Sequence, residues 1–75
     1  MSQIEKPIVS MHRAKADVRF RDLEQVLTHA GYERVRQKGS HVHFRKQGMP
    51  TITLPVHNGN VKKVYVRDVM NLLSL

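Results

Sequence analysis

Arg34-Val-Arg-Gln-Lys-Gly-Ser-His-Val-His-Phe-Arg-Lys46 is the stretch that decides how the chain folds. It carries five Lys/Arg and no acid, and Lys38-Gly39 breaks it with a turn signal. Beyond the turn, Ser40, Val42 and Phe44 alternate with His41, His43 and Arg45. Period-two alternation predicts a strand with Val42 and Phe44 on its apolar face and both imidazoles on the wet one. The stretch thus reads as a hairpin that displays histidines among cations. Cations attract phosphate, and imidazole is the side chain that exchanges protons near neutral pH. RNA cleavage needs both.

Upstream, Phe20, Leu23, Leu27 and Ala30 recur at helical spacing with Val26 beside them, and Gly31 supplies a left-handed stop. A helix is predicted over 19–30, followed by a first strand over 32–37. Downstream, Gln47-Gly-Met-Pro50 is a turn and Thr51-Ile-Thr-Leu-Pro-Val56 a third strand, which Pro55 ends or confines to a sheet edge. His57-Asn-Gly-Asn60 reads as a loop. Val66, Val69, Met70 and Leu73 form the stripe of a second helix over 64–73. Three short strands with one apolar face need a cover, and two amphipathic helices provide it. The expected fold is an α+β, two-layer α-β-β-β-α domain, with both helices on one face of a three-stranded antiparallel sheet. Residues 1–18 show no sustained period, and Pro7 interrupts any early element. They are expected to be an N-terminal arm, mobile or loosely docked, ahead of a domain over 19–75.

Seventy-five residues allow one small core. No apolar run approaches the roughly 20 residues of a membrane span, and the first residues lack a signal-peptide core, so a cytoplasmic protein without membrane contact is expected. The absence of cysteine excludes disulfides and thiolate metal sites. Thirteen Lys/Arg against six Asp/Glu give a net charge of +7. The bland account is a random basic excess on a soluble surface. Clustering argues against it: residues 34–53 contain no acid, which favours a nucleic acid as partner.

Gln37-Lys-Gly-Ser-His-Val-His-Phe44 closely resembles the HicA toxin family, small ribonucleases of toxin–antitoxin pairs with a fold like that of double-stranded-RNA-binding domains. The resemblance covers roughly residues 19–75. It includes the helix ending in Ala30-Gly31-Tyr32, the Gly39-Ser40-His41 signature, Phe44, Thr53-Leu-Pro55 with His57, and Val61-Lys62-Lys63. This chain departs from the family pattern at Val64-Tyr65, where Gly-Thr commonly opens the last helix, and in the arm before Arg19. The resemblance implies a toxin that cleaves mRNA without a metal or other cofactor, and a HicB-type antitoxin that covers the His41 face. It also implies His41 as the catalytic residue, a general base on the ribose 2′-hydroxyl.

Around His41 the candidate substrate-binding residues are Arg36, Lys38, Gly39, Ser40, His43 and Arg45. Lys38 or Arg36, with Ser40 as a further candidate, would offset charge growing on the phosphorane oxygens. The leaving 5′-oxygen needs a proton from His43 or from water. His43 equally reads as a filler of the wet face, His57 as a turn residue, and His12 and His29 as surface side chains. A zinc site of His41, His43 and His57 lacks carboxylates to support its imidazoles. A non-catalytic RNA-binding module of the same fold is the alternative to the enzyme.

Overall fold

The computed structural model describes residues 4–75. Its elements are α1 (Glu5–Arg13), β1 (Asp17–Arg19), α2 (Phe20–His29), β2 (Glu33–Lys38), β3 (His41–Arg45), β4 (Ile52–Pro55), β5 (Asn60–Lys62) and α3 (Lys63–Leu72). The predicted α-β-β-β-α order is the run from α2 to α3, interrupted by β5. β2, β3 and β4 form an antiparallel sheet in that order, so β4 is an edge strand and Pro55 ends it. Among the described residues three helices are present where two were expected.

Alternation builds the sheet's inner face. Val42, Phe44, Ile52 and Leu54 are buried and share one core with Leu23, Val26 and Leu27 of α2 and Val66, Val69 and Met70 of α3. Phe44 is fully buried, and its ring meets Phe20 at 6.1 Å between centroids in a tilted pair. At the end of α2, Gly31 takes φ +95°. The Gly31 N–H donates to the Thr28 carbonyl and the Tyr32 N–H to that of Leu27, a Schellman closure. Lys46 reinforces it by donating to the Ala30 carbonyl at 2.7 Å, a cation at the negative end of the helix.

The segment expected as a loose arm takes another form. Residues 1–3 lie outside the described residues; the remainder is α1, β1 and their connection. Ile4 and Met11 of this segment are buried in the common core, Met11 completely. Pro7 does not break α1 because it is the third helical residue, within the first turn, where backbone N–H groups have no helical acceptor. Val18 of β1 stands opposite Val61 of β5 in a two-stranded antiparallel ladder, and both are buried. Lys63 donates through Nζ to the Met11 carbonyl, which ties the last turn of α1 to the start of α3.

β5 replaces part of the predicted loop. Asn58 and Gly59 both have positive φ, +52° and +76°, and His57 and Asn60 exchange two backbone hydrogen bonds of 2.9 Å. That is a two-residue I′ turn, for which Asn-Gly is the favoured pair.

Candidate active site

The β2–β3 hairpin closes through a two-residue loop, Gly39-Ser40, flanked by the Lys38–His41 pair. Gly39 has φ +59° and open space where a Cβ would stand, so the backbone conformation is what calls for glycine there. Ser40 was expected to begin the strand on the face of Val42 and Phe44. It lies in the loop instead, and its carbonyl accepts the Val56 N–H at 2.7 Å. That bond brings the backbone next to His57 to the same end of the sheet.

Cross-strand partners share a face, so the register gives the layout around the histidines. Lys38, His41 and Pro55 form one row, and Arg36, His43 and Thr53 form the next. Glu33 stands opposite Arg45 in the last row. In an unbroken strand Arg34, Arg36 and Lys38 would all project the same way. Pairing skips Val35, however, with Arg34 opposite Phe44 and Arg36 opposite His43. This bulge sends Arg34 to the helix side and keeps Arg36 and Lys38 on the histidine side. Val35, the one strongly apolar residue in the interior of this strand, is left 47% exposed.

The cations differ in task. Arg34 stacks over Phe20 at 5.4 Å, pairs with Glu24 at 3.2 Å and donates to the Gln37 side chain. Lys46 and Lys63 hold helix ends. Among the described residues, Arg36, Lys38 and Arg45 are exposed and make no side-chain hydrogen bond or ion pair, which leaves their charge for a ligand.

His41 is exposed and, among the described residues, has no side-chain partner. His43 is half-buried, with Nδ1 2.9 Å from the Thr53 hydroxyl. His57 is held through its backbone in the I′ turn, with an exposed side chain. His12 and His29 lie in the last turns of α1 and α2, away from the hairpin in sequence. No group of three His, Cys, Asp or Glu among the described residues is placed to hold a metal ion. The face can therefore bring a phosphate beside two imidazoles and several cations. Thr53 was missed in the sequence reading, although its place in the β4 alternation puts it on the histidine face.

The family model for the HicA toxin of bacterial toxin–antitoxin systems matches residues 20–75. The chain belongs to the HicA toxin family. Comparison with curated proteins and with solved structures gave no match. Membership makes this a toxin whose counterpart is an antitoxin, and the small α+β domain agrees with the double-stranded-RNA-binding-like fold of HicA proteins. The match begins at the first residue of α2, so α1 and β1 precede the shared HicA region. Among the described residues no helix is long and apolar enough to cross a membrane.

Proposed function

We propose that this HicA toxin is a metal-independent endoribonuclease that cleaves mRNA in the cytoplasm, with His41 as the general base. The observation that carries the reading is the exposed His41, which has no side-chain partner among the described residues, in one row with Lys38 and beside the Arg36–His43 row of the same sheet face. His41 removes the proton of a ribose 2′-hydroxyl, and the 2′-oxygen attacks the adjacent phosphorus. Such proton transfer contributes roughly 10²–10⁴-fold. Lys38 and Arg36 offset the negative charge that grows on the non-bridging oxygens. Arg45 extends the cationic face along the RNA backbone, and the Gly39-Ser40 loop leaves room for the strand to approach. A HicB-type antitoxin with an acidic surface covers this face and excludes RNA, drawn in by charge complementarity.

The test is the chemistry of the cut. Purified protein in EDTA should cleave a single-stranded RNA to leave a 2′,3′-cyclic phosphate and a 5′-hydroxyl. A single 2′-deoxy substitution at the cut site should block it. RNA that is bound but uncut under all metal conditions would instead establish a non-catalytic binding module. Cutting that survives the 2′-deoxy substitution would exclude the 2′-hydroxyl as nucleophile.

A further inference from the structure

A base at the 2′-hydroxyl does half of the proton work, because the departing 5′-oxygen leaves as an alkoxide unless it is protonated. We infer that His43 is the general acid for that oxygen, and that Thr53, one strand away, is the positioning residue that holds its ring. The assignment rests on the ribonuclease reading of the same face.

Three observations lead to it. His41 and His43 are two residues apart on one strand and project to the same face, with a backbone separation of about 6.6 Å. In-line displacement puts the attacking and leaving oxygens on opposite sides of phosphorus, so base and acid must stand apart with the phosphate between them. Adjacent rows of the sheet provide that arrangement, each with its own cation: Lys38 beside His41 and Arg36 beside His43. The third observation separates the two rings. His43 is half-buried, and its Nδ1 lies 2.9 Å from Thr53 Oγ1, whereas His41 is exposed and unpartnered among the described residues. When the imidazolium forms, Nδ1–H donates to the Thr53 hydroxyl, and Nε2–H is the proton left for a substrate.

The step balances. The 2′-hydroxyl proton passes to His41 as the O2′–P bond forms. The P–O5′ bond breaks, and its electron pair takes the proton from Nε2 of His43. The products are a 2′,3′-cyclic phosphate and a 5′-hydroxyl; His41 ends protonated and His43 neutral, and water restores both. Thr53 touches no reacting atom. Its hydroxyl limits rotation of the ring, so that Nε2–H is presented in one orientation.

The experiment uses two oligoribonucleotides that differ at one atom. One has the natural 5′-oxygen at the cut, and the other a bridging 5′-sulfur, which departs as a thiolate and needs no proton. His43→Ala should slow the oxygen substrate by about 10²-fold or more and the sulfur substrate by much less. His43→Asn, which keeps a donor near Thr53 but cannot supply the proton, should do the same and guards against loss of packing. His41→Ala should slow both substrates. Thr53→Val should lower kcat on the oxygen substrate roughly 3- to 10-fold with KM unchanged, the worth of one hydrogen bond, and Thr53→Ser should restore it. Equal losses on both substrates in the His43 variants, with wild type cutting both, would overturn the acid assignment alone. A Thr53→Val effect confined to KM, or not repaired by serine, would overturn the positioning role. Wild type that cuts neither substrate would overturn the ribonuclease reading and this assignment with it.

Discussion

Met11→Ala tests whether the segment ahead of the HicA match is part of the fold. Met11 is fully buried, in a core that extends from α1 to α3. Complete burial of a methionine is worth about 1.5–3 kcal/mol, and truncation to alanine in a core costs about 2–5 kcal/mol once the cavity is included. α1 is a terminal helix and can settle inward, which favours the lower half of that range, about 2–3 kcal/mol. A chain of 75 residues has roughly 4–11 kcal/mol of stability in all, so the loss is a large share of it. With a urea slope of about 1 kcal/mol/M, the unfolding midpoint should fall by about 2–3 M. The control is Val9→Ala on the same helix, where Val9 is 46% exposed and the change should stay within about 0.5 kcal/mol. Urea titration followed by circular dichroism measures both. Coincident midpoints for the two variants would refute the docking of α1 and return residues 4–18 to a loose arm.

Three further outcomes follow from the geometry of the hairpin. Gly39→Ala should cost about 1–2 kcal/mol through backbone strain alone, because its Cβ would meet nothing; thermal unfolding reads it, and no loss would contradict the positive φ. Lys38→Glu or Arg45→Glu should weaken RNA binding and flatten its salt dependence, whereas Lys46→Gln, which releases a helix end, should lower stability and leave the salt slope unchanged. Binding titrations at several salt concentrations separate the two groups. Antitoxin and RNA should compete for the His41→Ala protein, and a stable ternary complex with unaltered RNA affinity would show that inhibition does not work by covering this face.

The central features were legible in the sequence because they repeat within a few residues. Val42 and Phe44 against His41 and His43 identify a half-buried strand from alternation alone, and Leu23, Val26 and Leu27 mark the inner side of α2. What escaped reading depends on partners far along the chain. β1 and β5 have three residues each, too few for a period, and their pairing is set by Val18 meeting Val61. Asn58-Gly59 is a local signal for the tight turn before β5, but without the partner strand it reads as no more than a loop. Ile4, Ile8 and Met11 have the spacing of a helix, but a proline at position 7 reads as a break unless it falls, as here, in the first turn. The bulge at Val35 has no counterpart in composition. It follows from the helix side drawing Arg34 towards Phe20 and Glu24 while the loop fixes Lys38 opposite His41. The position of His41 is therefore readable, whereas the hydrogen bond between its neighbour His43 and Thr53 requires the register between strands.

His41→Ala is the most direct test of the whole account, measured as single-turnover cleavage of RNA in EDTA alongside binding of an uncleavable 2′-deoxy analogue. His41 is exposed and unpartnered among the described residues, so its truncation should leave folding and affinity close to wild type. The cleavage rate should fall by about 10²-fold or more. A variant that folds, binds and still cuts at the wild-type rate would remove His41 from the chemistry.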